Sequence, residues 1–132
     1  MSGSGTPSDP WNLTTPPGQS AFQMHIDPDK NVLHCQVGTT WLHYRVEALD
    51  DCHAMLKAHG DWMELGNKDE KAAAADGTVE AWGRSPDNPV GGWYGLRKGY
   101  RGRFANYVTP VLKEQGRVEF EKRGRGWWVR AL

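Results

Sequence analysis

The sequence predicts an α+β fold: a three-stranded antiparallel meander and a helix, followed by a helical segment with a C-terminal β-hairpin. Two observations carry this. Between Ala21 and Val46 apolar and polar residues alternate with period two, the mark of strands buried on one face. From Phe104 to Leu112 the apolar residues follow the spacing of one helical stripe, and after Gly116 the chain returns to alternation.

The chain has 132 residues, one ordinary domain's worth. Residues 1–20, MSGSGTPSDPWNLTTPPGQS, are rich in Ser, Gly, Pro and Thr and lack the basic start and apolar core of a signal peptide. They are predicted to be a disordered N-terminal tail, with residues 21–132 forming a single compact domain. No apolar run approaches the ~20 residues needed to span a bilayer, so no membrane partner is implied. Cys35 and Cys52 are too few for a disulfide framework, and a cytoplasmic setting is the default expectation.

In the meander, Phe22, Met24 and Ile26 alternate with polar residues, as do Leu33, Cys35 and Val37, and then Leu42, Tyr44 and Val46. A four-residue loop, Pro28-Asp29-Lys30-Asn31, sets Ile26 opposite Leu33 and Met24 opposite Cys35. A two-residue turn at Gly38-Thr39 sets Cys35 opposite Leu42 and Leu33 opposite Tyr44. The same register aligns His25, His34 and His43 across the polar face, where opposed residues lie roughly 5 Å apart. Three imidazoles in a row are weak candidates for a metal site or a pH switch. The simpler reading is a tolerated polar sheet face.

Ala48 to His59 reads as a helix closed by Gly60, with Leu49, Cys52 and Leu56 on its apolar stripe. Adjacent helical residues point about 100° apart, so Cys52 and His53 do not form a nucleophile and base; Cys52 reads as core. Residues 61–76 read as a loop and a short alanine-rich turn of helix. Thr78 caps a second helix through Arg84, which ends before the breaker run SPDNP.

Net charge is zero, but residues 97–130 hold ten Lys or Arg against three acids, a balance of +7, and the first 96 residues carry the matching −7. This segregation implies an anionic partner for the C-terminal part, or acids elsewhere on the same chain. GGWYGLRKGYRGR (91–103) interleaves five glycines with Trp93, Tyr94, Tyr100 and four basic residues. Aromatics with arginine suit phosphate and base contacts, although neither common phosphate-loop motif is present. The same segment also fits a connecting loop that plugs Trp93 and Leu96 into the core.

The helix from Phe104 is interrupted by Pro110, which predicts either a kink or a second helix capped by Thr109. A hairpin around RGRG then sets Phe120 opposite Val129, Val118 opposite Ala131 and Glu119 opposite Arg130, leaving Lys122, Arg123 and Arg125 at the tip. Phe104, Tyr107, Val108, Val111, Leu112, Val118, Phe120 and Val129 are predicted to form one core with Trp82 and Leu96.

An amphipathic helix ending at Gly116, followed by a hairpin with a basic, glycine-containing tip, resembles the recognition helix and wing of winged-helix DNA-binding domains. The likeness covers about residues 78–132 and makes the second half winged-helix-like. The stretch GTVEAWGRSPDNPVGGWYGLRKGYRGRFANYV is also similar to small uncharacterised actinobacterial domains. The winged-helix resemblance implies contacts from Arg101, Arg103 and Asn106 on the helix and from Lys122, Arg123 and Arg125 on the wing; with Arg97 and Lys98 these form the candidate nucleic-acid surface.

A non-catalytic nucleic-acid-binding protein, in the first place DNA-binding, is therefore the leading expectation. A protein-interaction module that offers its basic, Trp-rich surface to an acidic partner is the alternative. A small enzyme comes third, because no pair of the scattered acids has a spacing that demands acid–base work. No cofactor is implied.

Overall fold

The computed structural model describes residues 3–16, 20–66 and 68–132. The predicted meander is present as β2 (Ala21–Asp27), β3 (Val32–Val37) and β4 (Thr40–Arg45). The register follows the alternation: Met24 opposes Cys35, Ile26 opposes Leu33, Leu33 opposes Tyr44 and Cys35 opposes Leu42. Met24, Leu33, Cys35 and Tyr44 are fully buried, because a one-residue slip would carry every apolar side chain to the other face.

A fourth strand, β1 (Trp11–Thr14), lies inside the segment predicted to be a disordered tail. It pairs with β2, placing Trp11 opposite Met24 and Leu13 opposite Phe22, and both Trp11 and Leu13 are buried. The Ser, Gly and Pro around it masked a WNLT alternation that has a hydrophobic sheet to complete. Gln19 and its two predecessors lie outside the described residues, as do Met1 and Ser2.

Helix α1 (Glu47–His59) ends as predicted at Gly60, whose φ of 73° is the left-handed cap favoured by glycine. A two-residue strand, β5 (Met63–Glu64), follows, and no helix forms in the described part of the alanine-rich stretch. Helix α2 (Val79–Trp82) starts at Thr78, whose hydroxyl accepts from the Ala81 amide, and stops two residues short of Arg84.

Helix α3 (Phe104–Glu114) is one continuous helix through Pro110, so neither a break nor a second cap forms. The Thr109 hydroxyl, predicted as a possible cap, instead donates back to the Ala105 carbonyl one turn earlier. The hairpin β6 (Val118–Arg123) and β7 (Gly126–Ala131) has the predicted pairs Phe120–Val129, Val118–Ala131 and Glu119–Arg130. β5 adds to it through Met63–Val129 and Glu64–Trp128, making a three-stranded sheet of order β5-β7-β6.

The buried residues of both sheets and of the helices form one cluster. Phe104, Ala105, Tyr107, Val108, Val111 and Leu112 are its α3 members, with Val118 and Val129 from the hairpin and Trp82 and Phe120 packed at its margin. Leu96 is the exception: it is 42% exposed, because its segment runs along the β4 edge rather than over the core. Leu112→Ala is expected to cost ~2–5 kcal/mol in chemical denaturation, the penalty of a buried leucine. Leu96→Ala is expected to leave the midpoint almost unchanged.

Candidate nucleic-acid interface

The candidate surface is built by a buried glutamate. Glu80 lies in the first turn of α2 and is wholly buried. One oxygen accepts from the Ala105 amide at 3.1 Å and the other from Arg84 Nε at 3.0 Å. The Phe104 amide also donates to this carboxylate. Helix α3 has no side-chain cap of its own, since its N-cap residue is Arg103, so Glu80 satisfies orphan amides at the helix start where the dipole favours an anion. Burial pushes the Glu80 carboxyl above its usual range, with the two amides and Arg84 pulling it back.

Arg84 carries the link outward. Its guanidinium donates to the Ala72, Lys68 and Asp69 carbonyls, each at 2.7 Å, and lies 4.8 Å from the centre of the Trp93 ring. The Lys68 carbonyl also accepts from the Arg103 amide at 2.7 Å. Gly102 presses against the same loop so closely that a Cβ there would fall 2.2 Å from the Glu70 nitrogen. Loops 68–72 and 101–103 are thereby clamped together.

The 94–97 segment lies along the outer edge of β4. The Arg45 amide donates to the Tyr94 carbonyl at 2.9 Å and the Leu96 amide to the His43 carbonyl at 2.8 Å, which covers an otherwise unpaired edge. Arg97 then reaches the Trp41 carbonyl at 2.9 Å and lies 4.3 Å over the Tyr100 ring. Trp41 is 39% and Tyr100 46% exposed. Between this platform and the clamped loops is a cleft of about 220 Å³. Leu42, Val37 and Tyr107 supply apolar lining, and Asp69, Glu70, Tyr100 and Arg103 are among its other walls.

The sequence-derived candidates fall into two groups. Arg97, Lys98 and Arg103 are exposed on or beside the platform. Arg101 is turned toward Glu70, its Nε 4.0 Å from Oε1 and without a hydrogen-bond partner among the described residues. Asn106 is 8% exposed, because α3 is buried from Phe104 through Leu112. Asn106 is thus largely covered, and the cleft it lines also holds Lys68 and Arg125.

Lys122 and Arg125 are exposed at the hairpin tip, but Arg123 is not free. It is paired with Glu121 and lies over both Trp62 and Trp128, at 5.4 and 5.1 Å. Arg125 shares a second cleft with Lys68 and Asn106, so the tip does approach the start of α3. Sequence reading missed Glu80, whose i,i+4 spacing to Arg84 was the available signal, and Trp41, which alternation marked only as an outward residue.

His25, His34 and His43 are aligned as predicted, with ring centres 5.1 and 4.9 Å apart. His34 and His43 are hydrogen-bonded Nδ1 to Nδ1 at 2.7 Å, so one of the two must carry the shared proton, and Asp27 lies 3.4 Å from His34 Nε2. No group of three or more His, Cys, Asp or Glu among the described residues is arranged to hold a metal ion. Burial, with the proximity of His34, holds His25 and His43 below the usual histidine range. Cys52 is a buried free thiol pushed up to about 12 by burial, which fits the core role.

Glu80→Ala is expected to cost about 3–5 kcal/mol in urea unfolding, because Arg84 and the α3 amides lose a buried partner. Glu80→Gln, which keeps an acceptor, is expected to cost less. Bases whose folded values lie below the ordinary ~6.5 bind protons more readily when unfolded, so stability is lost as pH falls through that region. The melting temperature is expected to drop on acidification from neutral pH, and His43→Gln to reduce that drop.

No helix among the described residues is long and apolar enough to cross a membrane. No curated protein and no solved structure matches the chain. One family model does match, over residues 3–132, and its description is a family of unknown function, DUF6855. Spanning nearly every residue, that match places the chain in this family: the protein is a member of DUF6855.

Proposed function

We propose that the protein binds nucleic acid, and single strands in preference to duplex, through the surface formed by the start of β4 and the 97–103 loop. One observation carries the reading. The large apolar side chains left exposed among the described residues are Trp41, Leu96, Tyr100 and the terminal Leu132. Arg97 ties two of these residues together, bonding the Trp41 backbone carbonyl and lying over the Tyr100 ring; Leu96 precedes it in the chain, and Lys98 and Arg103 are exposed on the same loop. Aromatic faces stack on any base and arginine supplies phosphate contact and cation–π support. The groove-reading arrangement of a winged helix needs an exposed helix, whereas α3 is buried through Leu112. An open platform favours an unpaired strand. The two buried free thiols support a cytoplasmic setting.

An acidic protein segment is the second reading, favoured by the apolar Leu96 beside Arg97. Such a partner would compete with a strand for the same arginine but would gain nothing from base stacking.

Affinity for a poly-dT strand is expected to fall with salt, by a logarithmic slope of roughly 0.7 for each phosphate contacted. Arg97→Ala and Lys98→Ala are each expected to lower that slope. Tyr100→Ala or Trp41→Ala is expected to cost ~1–3 kcal/mol per lost stacked base at nearly constant slope. Fluorescence anisotropy against poly-dT, RNA and duplex DNA reads all of this. Absence of binding to every one of them at low salt would overturn the proposal.

A further inference from the structure

We infer that the cleft beside Tyr100 is a seat for one guanine base, presented by a strand or by a free nucleotide. For the strand as source, the inference rests on the function proposed above. At about 220 Å³ the cleft is smaller than the ~300–1,000 Å³ pockets that hold drug-sized ligands. A single flat ring system between the apolar lining of Leu42 and Tyr107 and the ring of Tyr100 suits that space.

The polar groups select among bases. Asp69 is occupied, since its Oδ1 accepts from the Lys71 and Ala72 amides. Glu70 has an ion-pair partner, Arg101 Nε at 4.0 Å from Oε1, but its side chain accepts no hydrogen bond among the described residues. An ionised carboxylate only accepts, and its two oxygens suit a pair of adjacent N–H donors. Guanine presents such a pair at N1 and N2. Adenine and cytosine set one amino donor beside an acceptor, and thymine flanks one imino donor with two carbonyls.

The mouth of the cleft suits the attached phosphate. Arg103 has φ 62°, a left-handed conformation that costs a non-glycine residue energy and clusters at ligand-binding positions. It is held there by its amide bond to the Lys68 carbonyl. The amides at the start of α3 already serve Glu80, so the phosphate charge falls to the exposed Arg103 side chain. A cation at the mouth also disfavours an ammonium ligand, the other class a carboxylate would attract.

The test compares dT decamers carrying one central dG, dI, dA or dC with the all-dT strand at one salt concentration, and titrates guanosine monophosphate separately. The dG strand is expected to bind roughly tenfold or more tighter than all-dT, the return on one bidentate base contact. Inosine, lacking the N2 donor, is expected to lose most of that gain. Glu70→Gln, checked for native circular dichroism, is expected to level the dG-to-dT ratio. Competition by the mononucleotide identifies the free base as a source, and its failure beside a preferred dG strand identifies the strand. If all-dT binds but dG shows no preference, or if Glu70→Gln retains one, the guanine seat is overturned while strand binding stands. If no strand binds at low salt the function proposed above fails, and the mononucleotide titration alone decides the cleft: no binding there removes it too.

Discussion

The second half of the protein depends on one buried carboxylate. Glu80 links α2 to the start of α3 and, through Arg84, to the carbonyls of Lys68, Asp69 and Ala72. Each partner answers a need that would otherwise be unmet in the interior. Helix α3 begins at a left-handed arginine without a cap, and loop 68–72 has carbonyls with no sheet or helix to pair with. A charge buried with its counter-ion and amide donors contributes little net stability compared with an apolar packing. Its effect is to specify one arrangement of α2, the start of α3 and loop 68–72. The cleft between loops 68–72 and 97–103 exists because that arrangement is specified.

Charge segregation along the chain is largely resolved within the fold. Arg117 bonds Asp50 of α1 at 2.7 Å, Arg130 pairs with Glu119, Arg123 with Glu121, and Arg101 faces Glu70. Arg123 and Arg130 also lie over Trp62. These half-exposed pairs are weak individually, yet they remove four arginines from the surface available to a ligand. Of the cations in the C-terminal part without an acidic partner, Arg97, Lys98 and Arg103 are exposed on the 97–103 loop, Lys113 at the end of α3, and Lys122 and Arg125 at the hairpin tip. The neutral total then sits with a locally positive surface.

The two sheets manage their exposed faces differently. On the outer face of the three-stranded sheet, arginine and tryptophan are interleaved and compensated by glutamates. On the four-stranded sheet the histidine row lies beside Trp41, with His25 and His34 rings 6.1 and 6.5 Å from it, and its one near carboxylate is Asp27. Protonating this row would place like charges next to the Nδ1–Nδ1 bond and near Arg97, which already disfavours a charged His43. The histidine row, with its His34–His43 hydrogen bond, lies next to the proposed stacking platform.

What the sequence by itself determined is what local periodicity encodes. The meander register, the Gly60 cap, the Thr78 cap and the C-terminal hairpin pairs all follow from alternation and turn chemistry over fewer than twenty residues, where neighbours in sequence are neighbours in space. Tertiary structure alone decided the features that need a distant partner. β1 is a strand because β2 offers an edge, β5 because β7 does, and Leu96 is exposed because its backbone pairs with His43 instead of packing inward. Pro110 stays inside a continuous α3 that is buried from Phe104 through Leu112. Glu80 was one scattered acid until folding brought the Ala105 amide, 25 residues on, to its oxygen. Glu70 and Tyr100 share a cleft by the same kind of long-range closure. Composition records that the residues are present; which of them find a partner, and which are left free for a ligand, is decided by the folded chain's need to satisfy every buried polar group.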